Sequence, residues 1–193
     1  MNMDRIVDCL SIYNTPEYLQ ANAHVWQDAL AAIANSTMDV NATSTCYQVT
    51  LLHLACYHGK VDVVKQLLQL HANPSVETLY YRSRPMHYAA MSKSSNALEI
   101  CRLLPAAEIA QTNKYGKTPL FAALHRITIN KDLFQWMIQQ PQYNVVANQA
   151  AIVRVLVLRG KETFIRMVDE EVAARKRWTP ARAAWCAAAC VCA

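Results

Sequence analysis

Thr50-Leu51-Leu52-His53-Leu54-Ala55-Cys56-Tyr57-His58-Gly59-Lys60-Val61-Asp62-Val63-Val64-Lys65-Gln66-Leu67-Leu68 is the stretch that decides how this chain folds. A short apolar segment carrying the small residues Ala55 and Cys56 runs up to Gly59. A second stripe, Val63, Val64, Leu67 and Leu68, then follows at helical spacing. The stretch recurs. Arg84-Pro85-Met86-His87-Tyr88-Ala89-Ala90 stands 34 residues on, and Thr118-Pro119-Leu120-Phe121-Ala122-Ala123 another 34 beyond it. Leu52, Met86 and Leu120 thus hold one structural position, and Ala55, Ala89 and Ala123 hold another. A fixed period of this size means stacked helical units, each burying its apolar face against its neighbours.

These residues resemble the ankyrin repeat, whose mark is a Thr-Pro-Leu-His-x-Ala turn and helix followed by a second amphipathic helix. Asn113-Lys114-Tyr115-Gly116-Lys117-Thr118-Pro119-Leu120 is similar to the family's Asp-x-x-Gly-x-Thr-Pro-Leu. The resemblance implies an all-α ankyrin-repeat solenoid of about four to five helix-turn-helix units with divergent terminal caps. Inner helices are expected to begin near Thr50, Pro85 and Thr118, and outer helices to cover 61–70, 96–104 and 131–139. Pro105 should end the second of these outer helices. At the start, Pro16 to Ala23 is expected as an inner helix and Trp26 to Ile33 as an outer one, with Met38-Asp39-Val40-Asn41-Ala42 similar to the family's exit. At the other end, Ala150 to Leu158 and Thr163 to Val168 are expected to form a degenerate fifth unit. The organisation is therefore a repeat domain over 1–176 and an Ala/Cys-rich tail over 177–193. Within the domain, 1–45 is a divergent N-terminal repeat, 46–147 the core repeats and 148–176 a C-terminal cap.

Composition agrees with a packed chain. Of 193 residues, 53% are apolar and 17% charged, which excludes a disordered polypeptide. Only 3 glycines are present, so most of the usual turn glycines have been replaced. The net charge of +5 is uneven: the residues from Arg154 onward carry +4 of it. The first 153 residues are close to neutral, and the basic end alone invites an acidic partner or anionic lipid. No apolar run has the length of a secretory signal or a membrane span. Seven cysteines without such a signal point to free thiols in a reducing cytosol.

Few residues suggest chemistry. His53 and His87 occupy the family's His position, where the ring bonds a neighbouring turn, and Phe121 replaces it in the next unit. Cys46, His53, Cys56 and His58 match no zinc spacing. Phosphate-binding loops and hydrolase or metalloprotease motifs are absent. The expectation is therefore a binding protein, not an enzyme, with no metal and no cofactor. The rival reading is an enzyme or enzyme fragment with a catalytic group on a divergent terminal segment.

In ankyrin arrays, the finger tips and the outward residues of the inner helices form the binding face. Mapped by the period, Tyr47, Tyr81 and Tyr115 fall at one finger position, with Tyr80 beside them and Tyr57 on an inner helix. Tyrosine suits such a face because it offers large area and a polar tip at low entropy cost. His58, Met91, Lys93, Lys114, His125 and Arg126 flank these rings and would set specificity. The implied partner is another protein, bound by a monomer, with no specific nucleic acid. Short divergent arrays of this kind are common among proteins that intracellular bacteria or viruses deliver into host cytosol. The tail adds a membrane reading. Cys190-Val191-Cys192-Ala193 fits a Cys-a-a-X prenylation motif, Cys186 offers a second lipid site, and Arg175, Lys176 and Arg177 would meet anionic lipid.

Overall fold

In the computed structural model, the described residues are 2–11, 15–126 and 128–177. They form eleven α-helices: α1 (Met3–Leu10), α2 (Pro16–Ala21), α3 (His24–Ala34), α4 (Leu51–His58), α5 (Val61–Gln69), α6 (Pro85–Met91), α7 (Ala97–Leu103), α8 (Pro119–Leu124), α9 (Lys131–Gln139), α10 (Val145–Leu158) and α11 (Glu162–Arg177). A 3-10 turn spans Ala106–Ala110. Strand-like pairing among the described residues is limited to an isolated bridge between Thr43 and Thr50.

The helices form two rows. The inner row runs α1, α4, α6, α8, α10, and the outer row α3, α5, α7, α9, α11, each helix packed on the next in its row. Pairing across the rows gives five units: α1 with α3, α4 with α5, α6 with α7, α8 with α9 and α10 with α11. The 34-residue register sets the core. Leu52, Met86 and Leu120 are 1%, 0% and 0% exposed, and Ala55, Ala89 and Ala123 are equally closed off. The alanines let paired helices approach; the larger side chains fill the space between units.

Local chemistry starts and stops the helices where the period requires. Thr50 caps α4, its hydroxyl accepting from the His53 amide. Gly59 ends the same helix in the left-handed region at φ 70°. The fingers repeat as closely as the helices. Ser44 pairs with Val49, Thr78 with Ser83 and Asn113 with Lys117 through backbone bonds of 2.9–3.0 Å. Each finger then has one residue at positive φ: Gln48 (51°), Arg82 (50°) and Gly116 (65°), spaced by the 34-residue period.

Both ends differ from the sequence expectation. The inner helix of the first unit is α1, not 16–23. Met3, Ile6 and Leu10 of α1 are buried and α1 packs on α4, whereas α2 buries none of its residues. Apolar spacing explains the choice: α1 offers three large side chains on one face, and α2 offers little beyond Tyr18 and Leu19. In the last unit, α10 begins at Val145 and not Ala150, and α11 continues past Val168 to Arg177. Asn144 caps α10 by accepting from the Ala147 amide, which moves the helix start upstream. Cys186 and Cys190 lie outside the described residues. No helix among those described is long and apolar enough to cross a membrane.

Candidate protein-binding face

The fingers present tyrosine in two pairs. The Tyr47 and Tyr80 ring centroids are 6.0 Å apart, edge to face, and those of Tyr81 and Tyr115 are 6.1 Å apart. The rings that share a repeat position therefore do not form one continuous stack: Tyr47 meets Tyr80, not Tyr81. All four are more than half exposed, from 53% for Tyr47 to 61% for Tyr115. Backbone bonds between fingers hold the pairs, from the Leu79 amide to the Tyr47 carbonyl at 3.0 Å and from the Lys114 amide to the Tyr81 carbonyl at 2.8 Å. The rings are thus mounted on a fixed ladder, which spares the ordering cost of a flexible loop.

The inner helices add a second row. Tyr57, Met91 and His125 share one repeat position; the first two are half-buried and His125 is exposed. The Tyr57 ring meets Tyr88 at 6.4 Å, and Tyr88 meets His53 at 5.0 Å. Tyr88 is thereby part of the face, although its place in the sequence did not mark it; its signal was the exchange of Leu54 for an aromatic residue one period later. Lys93 and Lys114 are exposed and Arg126 is half-buried.

His58 is committed to the fold. Its Nε2 donates to the Leu10 carbonyl at 2.7 Å, and its ring sits between Trp26 and Tyr57 at 6.0 and 5.4 Å. It ties α4 to the divergent first unit. Burial holds its pKa below the ordinary imidazole value, opposed by the bond to Leu10.

The face is electrostatically one-sided. Residues 43–60, 78–93 and 111–126, which hold three fingers and inner helices, contain no Asp or Glu and seven Lys or Arg. Arg82 and Arg84 are paired with Glu77. Lys117 lies over the Phe121 ring, 4.9 Å from its centroid. Asp62, Glu99 and Asp132 stand instead on α5, α7 and α9 of the outer row. Each of these three helices also carries one base, Lys65, Arg102 or Lys131, so the outer row is balanced where the fingers and inner helices are positive.

Reactive groups fare differently. Cys56 and Cys101 are fully buried, and burial pushes the Cys101 thiol up to about 12 and Cys56 well above its usual value. Thiols held protonated in this way are packing groups, not nucleophiles. No group of three or more metal-ligating side chains converges among the described residues. Arg175 also leaves the role expected of it. It is half-buried and donates to the carbonyls of Tyr143, Ile138 and Gln140 at 2.6, 2.7 and 2.9 Å, so it braces the last unit instead of joining an open basic cluster.

A family model described as ankyrin repeats, in three copies, matches residues 52–148. No curated protein matches the chain.

Proposed function

The chain belongs to the ankyrin-repeat family, and from that membership we propose that it is a non-catalytic adaptor, holding a partner protein against its fingers and inner helices. Ankyrin repeats are in general protein–protein interaction modules. The observation that carries the finer reading is the pair of tyrosine clusters, Tyr47 with Tyr80 and Tyr81 with Tyr115, exposed yet fixed by bonds between fingers. Exposed aromatic side chains cost little to order and gain much on burial, which is why they dominate interface energetics. Tyr57, Met91 and His125 extend the same face along the inner row, and Lys93, Lys114 and Arg126 give it positive charge. His58 supports the face from beneath.

The test is affinity capture from a eukaryotic cytosol with wild type and with a Tyr47→Ala/Tyr81→Ala/Tyr115→Ala variant. Purified partner is then titrated against each single variant, with circular dichroism alongside. Each single change should leave helicity intact and weaken binding by about 1–2 kcal/mol or more. Unchanged affinity in the single and triple variants would overturn the reading.

A further inference from the structure

Where the inner helices turn into the outer ones, residues of the third and fourth units line a shallow, open cavity of about 410 Å³. Lys93, Ser94, Ser95, Arg126, Thr128 and Lys131 line it. No carboxylate is among the lining residues, and none of the three cations has an ion pair among the described residues. Arg126 is half-buried, and burial holds its pKa below the ordinary guanidinium value, opposed by the nearby Tyr57. A guanidinium partly withdrawn from water without a carboxylate is an incomplete arrangement, because buried charge is ordinarily paired.

Hydrogen bonds hold the turn that carries Ser94 and Ser95. The Ser94 amide donates to the Ser92 hydroxyl and the Asn96 amide to the Ser94 hydroxyl, both at 3.1 Å. The Asn96 side chain donates to the Gly59 carbonyl at 3.1 Å, anchoring this turn on the preceding unit. On the other wall, Asn130 caps α9 by accepting from the Leu133 amide at 3.0 Å. The positive end of that nine-residue helix therefore opens at the rim. The Arg159 guanidinium donates to the carbonyls of Leu124 and Arg126, tying down the backbone that carries Arg126. Cations and hydroxyls gathered around one concavity suit an oxyanion, which takes charge-assisted hydrogen bonds from such groups.

We propose that this cavity is an oxyanion subsite of the partner-binding face, taking a carboxylate or phosphate group displayed by the partner protein. The proposal rests on the protein-binding reading for its partner, but the subsite can be measured without one. Inorganic phosphate is titrated into the full chain at constant ionic strength against chloride and followed by amide chemical shifts. Saturable shifts should cluster at Ser94, Ser95 and Thr128. A Lys93→Gln/Lys131→Gln variant should bind about tenfold more weakly. A Lys114→Gln/Lys117→Gln variant, altered at the fingers, should bind as wild type does. The triple tyrosine variant should also keep its phosphate response, so failure of the tyrosine reading and failure of the subsite are separately visible. Shifts that do not saturate, or that survive Lys93→Gln/Lys131→Gln unchanged, would overturn the subsite. Arg126→Gln, checked for fold by circular dichroism, is the second variant and should also lose the response. Two peptides differing only in phosphoserine against glutamate then identify the group: the tighter competitor of phosphate names it. Failure of both to compete, or tighter competition by an oligonucleotide, would overturn the assignment to a protein partner.

Discussion

His53 donates from Nε2 to the Ser83 carbonyl at 3.2 Å, fastening the inner helix of one unit to the finger of the next. Its Nδ1 accepts from the Thr50 amide at 3.3 Å and contacts the Thr50 hydroxyl at 2.8 Å, so both ring nitrogens are used by the neutral tautomer. His87 repeats the device one unit on, with Nε2 3.0 Å from the Lys117 carbonyl and Nδ1 accepting from the Arg84 amide at 3.2 Å. The stack is thus tied across units by two imidazoles that must stay uncharged.

Acid should therefore loosen it. Burial lowers His53 from 6.5 to about 4, and lowers His87 and His58 as well. Between the two His53 values the unfolded chain takes up a proton that the folded chain refuses. Its contribution is complete above the unfolded value and is lost as pH falls towards 4. For His53 alone the loss amounts to about 3 kcal/mol. Urea titrations at about pH 7 and about pH 4.5 should show it, and His53→Gln should flatten the dependence. An identical pH dependence in that variant would contradict the account.

Gln48, Arg82 and Gly116 share the left-handed finger position, and only the last is a glycine. A side chain there costs roughly 1–2 kcal/mol of steric strain, partly offset by the greater freedom glycine loses on folding. Gln48→Gly should raise stability by about 0.5–1 kcal/mol. Arg82 is a poorer test, because its side chain also pairs with Glu77 at 2.7 Å. Gly59→Ala should act in the opposite direction and more strongly than Gly116→Ala. A Cβ on Gly59 would fall 2.2 Å from the Ser94 side chain, whereas one on Gly116 meets open space. Denaturant midpoints of the three variants, read at constant m-value, decide the order.

The inner and outer helices from Leu51 to Gln139 were legible because they obey one 34-residue period, and period is what sequence shows best. The first unit escaped it. Asn2 and Thr50, which cap α1 and α4, are 48 residues apart, so α1 lies outside the 34-residue period and α2 stands just before the outer helix in sequence. The tyrosine positions were legible for the same reason as the helices, but not their pairing, since Tyr80 has no counterpart in the neighbouring fingers. Charge was least legible. A net charge sums over faces, and the gathering of Lys93, Lys114 and Arg126 on a face without acids, apart from the balanced outer helices, exists only after folding.

Arg84 stands where the first and third core repeats have Thr50 and Thr118, and the exchange has a reason no motif carries. Its guanidinium reaches Glu108 at 3.2 Å and Glu77 at 3.2 Å. Glu108 is only 5% exposed and also accepts from the Ser75 hydroxyl at 2.7 Å. Removing the arginine leaves a buried carboxylate without its cation, so Arg84→Ala should cost about 3–5 kcal/mol. Arg82→Ala, which breaks an exposed pair with Glu77, should cost less than about 1 kcal/mol. Chemical denaturation of both variants measures the contrast; near-equal costs would show that Glu108 is satisfied without Arg84.

Arg175 and Lys176 are neighbours with opposite duties. Arg175 sends its two terminal nitrogens to the carbonyls of Tyr143, Ile138 and Gln140 and its Nε to Glu171 at 2.8 Å. Ile138 lies in the last turn of α9 and Gln140 caps it, so the guanidinium reaches the carbonyls of that helix end while locking α11 against the preceding unit. A lysine cannot reproduce this, since one ammonium lacks the planar fork that spans several acceptors. Arg175→Lys and Arg175→Ala should therefore both destabilise, by about 1.5–3 kcal/mol. Lys176 is exposed, and Lys176→Ala should fall within about 0.5 kcal/mol of wild type. The distinction bears on the basic end. If anionic vesicles bind this chain, Lys176→Ala/Arg177→Ala should weaken the binding at unchanged stability. Arg175→Ala should alter stability first, because its charge is already held by the fold. Thermal unfolding beside vesicle sedimentation separates the two, and a loss of vesicle binding in Arg175→Ala with no fall in stability would show that the guanidinium is not the clamp assigned here.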